Sequence, residues 1–109
     1  MSVRVLNAHR GEIAAVLDGA ERRLCLTLGA LAALEAAFGE DDLSALAARL
    51  SGGRLRAEDL AAVIHAGLCG AGSDATLDEV KRMTAPGGAA GYARIAVALL
   101  EATFAGEGA

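Results

Sequence analysis

The sequence predicts an α+β fold that is mostly helical, with an N-terminal β-hairpin packed on a bundle of about five helices. Three observations carry this expectation. Ile13, Ala15 and Leu17, then Leu24 and Leu26, alternate on either side of Asp18-Gly19, the pattern of two half-buried strands joined by a tight turn. Apolar residues beyond Thr27 recur at helical spacing, and much of the 54% hydrophobic content is alanine while only 3% of residues are aromatic. Alanine is the best helix former and suits close helix packing better than a sheet sandwich. Finally, Pro86 is the only proline, and the 14 glycines gather between apolar runs, where caps and loops belong.

A chain of 109 residues is expected to form a single domain over 1–109, with the hairpin at 11–27 and the helical part at 28–105. Val3 and Val5 favour a short third strand over Ser2–Leu6. The hairpin strands are expected at Gly11–Leu17 and Glu21–Thr27. Either a two-residue or a four-residue loop keeps their apolar residues on one face. That face needs a cover, because an isolated hairpin is marginal in water.

The run from Thr27 to Gly39 supplies the cover. Thr27 can cap the helix start, Leu28, Leu31, Leu34 and Phe38 form an apolar stripe, and Gly39 sits where a C-terminal cap belongs. Glu35 is its only charge, so this helix is expected to be the central one. Asp41 or Asp42 caps the next helix, whose buried face is Leu43, Leu46, Ala47 and Leu50 and whose end is Ser51-Gly52-Gly53. Glu58 and Asp59 open a third helix, with Leu60, Val63, Ile64, Gly67 and Leu68 facing inward and Gly70 as its stop. Thr76 and Glu79 match a capping box, in which each side chain satisfies one orphan backbone N–H. A short helix through Met83 follows, then a break at Thr84–Gly88, then a last helix from Ala90 to Ala105.

The net charge is −4 and the isoelectric point about 5.0, against the basic patches that a nucleic-acid backbone selects. The longest charge-free apolar run, Leu24–Leu34, is too short to span a bilayer. The N-terminus lacks the basic-then-apolar pattern of a signal peptide. A cytoplasmic protein with Cys25 and Cys69 reduced is expected, and neither nucleic acid nor membrane is an expected partner.

Candidate chemistry is sparse. His65 and Cys69 lie four apart on one helix, close enough to share a metal. A zinc site needs four ligands, or three plus water, and only His9, Cys25 and scattered acids remain. The expectation is no metal, and a helix-end histidine beside a buried small thiol. Gly67–Gly72 resembles a phosphate loop superficially, but it follows a helix and lacks the Gly-Lys-Ser/Thr ending. A helix-turn-helix over Ala57–Met83 is disfavoured by its long spacer and by Asp78 and Glu79 where a recognition helix would meet phosphate. Asp41-Asp42 and Asp78-Glu79 each fall at a helix start, which capping and the helix dipole explain. No catalytic residue, cofactor or enzyme activity is expected.

Asn7–Glu12, then Asp18-Gly19, then Leu26–Gly39, followed in order by Gly52-Gly53, Gly70–Gly72 and Gly87-Gly88 before a final apolar helix, resemble the gene transfer agent tail-assembly family. Its members are small proteins of phage-like particles, described as tail assembly chaperones or, under an older name, tail tube proteins. The resemblance covers nearly the whole chain, and it departs at Ala8, where proline commonly follows the asparagine. It implies a chaperone acting in tail tube morphogenesis of a gene transfer agent or prophage. Such a protein binds the long helical tape-measure protein while tail tube proteins polymerise around it. The alternative is a structural tail tube or connector subunit.

The last helix suits such a binder on its residues alone. Tyr92, Ile95, Ala96, Leu99 and Ala102 make one apolar face, and Ala93, Val97, Leu100 and Phe104 make a second. Only Arg94 and Glu101 share a polar stripe. One reading buries the first face and leaves Ala93, Val97, Leu100 and Phe104 for a tape-measure helix or a second copy of the chain. The other reading buries both faces in the core.

Overall fold

The computed structural model describes residues 3–7, 11–38 and 56–107. Three strands come first: β1 (Val3–Asn7), β2 (Glu12–Leu17) and β3 (Ala20–Cys25). They form an antiparallel sheet in the order β1-β2-β3. Leu17 pairs with Ala20, so the β2–β3 loop has two residues, and Asp18 and Gly19 both take positive φ (57° and 78°). Positive φ at both central positions is what a type I′ hairpin turn demands. The expected hairpin and third strand are therefore both present, each shifted by a residue or two.

Four helices follow among the described residues: α1 (Leu28–Phe38), α2 (Ala57–Gly70), α3 (Leu77–Arg82) and α4 (Gly88–Glu107). The helix expected around Leu43–Leu50, and the Gly39 cap, lie outside the described residues. Thr27 caps α1 as expected, its hydroxyl accepting from the Ala30 N–H at 3.1 Å. The Thr76/Glu79 capping box is complete: Glu79 Oε1 accepts from the Thr76 N–H at 3.0 Å, and Thr76 Oγ1 from the Glu79 N–H at 3.1 Å.

The centre of the fold is α2 and not α1. α2 packs against β3, α1, α3 and α4 together, whereas α1 rests chiefly on α2. Its inward face is the expected Leu60, Val63, Ile64, Gly67 and Leu68, joined by Ala61, Ala66 and Asp59. Gly67 permits the central position. A Cβ there would stand 2.5 Å from Leu99 Cδ2 on α4 and 3.2 Å from Leu24 Cβ on β3. α1 reads as more apolar because it is rich in alanine, and a short methyl does not require burial. Only Leu31 and Leu34 of its stripe are buried, Leu28 is 84% exposed, and the side chain of Phe38 is not described.

The core face of the sheet carries Ile13, Ala15, Leu17 and Leu24, all essentially inaccessible, under α2 and α4. Arg22 shares this face through its pairing with Ala15, and its Nε reaches the Leu17 carbonyl at 3.1 Å, keeping the guanidinium at the sheet's end. The hairpin tip is tied to the loop after α3, where the Asp18 N–H donates to the Thr84 carbonyl at 2.7 Å. Gly11, at φ +65°, brings the entry of β2 against the α4 backbone, where an added Cβ would lie 2.9 Å from Thr103 Cα.

α4 lies against both α2 and the sheet. Ile95, Ala96 and Leu99 are fully buried and Ala102 nearly so, as expected of its first face. Its second face is covered in part. Leu100 is only 2% exposed, and Ala93 and Val97 are half-buried against the core. With neighbours on two sides, a helix apolar over most of its girdle is covered on most of it. The side chain of Phe104 lies outside the described residues.

Candidate functional site

Since α4 turns inward, the accessible apolar surface lies on α1. Leu28, Gly29, Ala32, Ala33 and Ala36 are all exposed, and half-buried Glu35, seven residues on from Leu28, is the one charge beside them. Leu28, at 84%, is the most exposed large hydrophobic side chain among the described residues. The local sequence explains its position. Thr27 leaves the sheet and starts the helix with its own hydroxyl, so Leu28 falls in the first turn, before α1 reaches its cover on α2.

Between α1 and α2 runs an open trough of about 440 Å³. Its walls are small: Gly29, Ala30 and Ala33 from α1, Ala62 and Ala66 from α2, with Leu34 at its floor and Leu77 from α3 at one end. None of its lining residues among those described is Asp, Glu, Lys or Arg. Leu28 is not among its lining residues. A wall of glycine and alanine lets another backbone approach closely, and an apolar hollow gains by excluding water. A second hollow, of about 460 Å³, opens between α2, α3 and α4. It is apolar at Leu60, Ala61, Ile64 and Val80 but has Glu58 and Lys81 in its lining.

His65 and Cys69 line the α1–α2 trough. Their facing atoms, Nε2 and Sγ, are 3.4 Å apart. Cys69 is exposed, which corrects the expected buried thiol, whereas Cys25 is buried. Cys69 falls outside the inward set because it lies on the flank of α2 that carries Ala62 and His65 and lines the α1–α2 trough. Among the described residues no group of three or more His, Cys, Asp or Glu side chains comes together. No helix among them is long and apolar enough to cross a membrane.

Two side chains titrate away from their ordinary values. Glu79 is held below the usual carboxylate range, first by the Thr76 N–H and then by the Thr76 side chain. Tyr92 is pushed up, first by burial and then by the nearby Asp18 carboxylate. Both belong to the scaffold: Glu79 starts α3, and Tyr92 sits where α4 meets the hairpin tip.

The accessible features of this α+β scaffold are thus apolar surfaces between helices, the equipment of a protein that assembles with others. The family follows from the sequence match. A family model described as "Phage tail tube protein, GTA-gp10" matches residues 10–106, and the chain belongs to this gene transfer agent tail family. No curated protein and no solved structure matches it.

Proposed function

We propose that this protein is a tail assembly chaperone of a phage-like particle, a non-enzymatic protein that binds helical segments of the tape-measure protein in the bacterial cytoplasm before the tail tube closes. The observation that carries this reading is the exposed apolar surface of α1, where Leu28 is 84% exposed, together with the trough of alanine and glycine between α1 and α2. A chaperone must hold apolar helices and release them. A hollow without ion-pairing side chains and a separate exposed leucine suit weak, repeated docking, because they add no ion pair that would lock the complex. Membership of a tail family supports a partner within the tail.

The printed family description favours a second reading, a permanent tube or connector subunit. The composition of purified particles separates the two. A chaperone is absent from the finished tail, while the tape-measure and tube proteins remain. A tube subunit is present in many copies per tail, and that result would overturn the chaperone reading.

A further inference from the structure

Among the described residues that line the α1–α2 trough, His65 alone is of the type whose charge ordinarily changes between about pH 5 and 8. It stands half-buried on α2. Across the trough α1 presents threonine, glycine, alanine and leucine, and α3 presents Leu77. The other titratable group in that lining is the Cys69 thiol, one turn on along α2, and Glu35 of α1 is not part of it. The thiol has two partners within reach: His65 Nε2 lies 3.4 Å from Sγ, and the Ala75 carbonyl lies 3.9 Å from the same sulfur. A neutral ring with its proton on Nδ1 accepts the thiol proton at Nε2. A ring protonated at Nε2 donates to the sulfur instead, and the thiol turns to the Ala75 carbonyl. Both charge states of His65 therefore fit the same backbone.

We propose that His65 makes docking in this trough pH-dependent: its neutral ring admits an apolar helix, and its protonated ring expels one. The inference rests on the reading of the trough as a tape-measure site and adds a control to that site. A docked helix covers the trough and takes the His65 ring out of water. For the neutral ring the cost is small, because the Cys69 thiol already meets Nε2. For the imidazolium it is large, because an apolar helix brings no counter-charge and the described lining holds no carboxylate. The proton comes from the buffer and returns to it, so the docked state binds one proton fewer than the open one. Docking is therefore strongest at the upper end of the histidine range and weakens as pH falls through it. Linkage makes the effect reciprocal, and a docked helix drives the proton off His65.

The probe is co-expressed tape-measure protein held on the immobilised full-length chain, in a reductant that keeps Cys69 as the thiol. The complex is loaded at about pH 8 and stepped to about pH 5.5, the two ends of the histidine range. Retention by the wild type should fall roughly fivefold or more, the lower end of what coupled sites deliver. His65→Gln and His65→Ala stay neutral and should hold the tape-measure protein at both pH values. In the free chain the His65 ring resonances, identified by their absence from His65→Gln, should move between the same two pH values. Equal retention by the wild type at both, release from a neutral variant at the lower pH, or a ring that keeps one charge state would each overturn the proposal. A neutral variant that captures nothing at about pH 8 would also overturn it, by giving the ring a role other than its charge. No capture by the wild type even at about pH 8 would instead remove the docking reading, and this inference with it.

Discussion

Gly19 takes φ +78°, and a Cβ added there would meet nothing within 4 Å. Any cost of a side chain at this turn is therefore conformational and not steric crowding by neighbours. Gly19→Val should destabilise the fold by about 1–3 kcal/mol, because a β-branched residue resists the left-handed region. Gly19→Asn should cost much less, since asparagine tolerates that conformation. Urea melts of the two variants check this, and equal midpoints would contradict the type I′ turn. Two leucines test depth in the same way. Leu100 is 2% exposed and Leu28 is 84% exposed. Leu100→Ala should cost about 2–5 kcal/mol, as buried leucines do. Leu28→Ala should stay within about 0.5 kcal/mol, as exposed substitutions do. The turn was legible in the sequence because Asp-Gly between alternating strands has one good solution. The depths of Leu28 and Leu100 were not legible. Both sit at helical spacing among alanines, and which side of a helix is covered depends on neighbours far along the chain.

Local chemistry marks the helices well and their arrangement poorly. Thr27 and the Thr76/Glu79 box place two helix starts because each satisfies backbone groups within a turn, while α2 ends at Gly70 with the Ala71 N–H bonding the carbonyls of the last turn. The choice of central helix depends instead on Gly67, whose missing side chain admits Leu24 and Leu99. A glycine inside a helical pattern reads as a weakness until its neighbours are known. Gly67→Val should overpack this junction and cost about 1–3 kcal/mol in a thermal or urea melt. The capping box also gives the fold an acid-side dependence. Glu79 is ionised in the fold at pH values where it would otherwise begin to protonate. Its contribution is complete above the ordinary glutamate value of about 4.3 and is lost as pH falls through the lower value it has in the fold. Thr76→Ala should cost about 0.5–2 kcal/mol near neutrality. It should also flatten the fall in melting temperature below about pH 4.3. An unchanged acid slope would mean that Glu79 is not held by Thr76.

For the whole molecule, membership was legible before the binding surface was. Asn7–Glu12, the Asp18-Gly19 turn and the ordered glycine breaks carry the family resemblance, and the family match extends over residues 10–106. These residues build the scaffold and do not report which face a partner meets. Two helices, α1 and α4, are apolar on most sides in the sequence, and packing buries the second and leaves the first open. The central claim is that the open α1 face holds tape-measure helices. Leu28→Asp tests it most directly, because an exposed charge is well solvated and should leave the fold intact. The measurement is capture of a co-expressed tape-measure protein by purified wild-type and Leu28→Asp chains of equal melting temperature. The wild type should retain the tape-measure protein in solution and Leu28→Asp should lose it. Equal capture by both chains, or none by the wild type, would contradict the account.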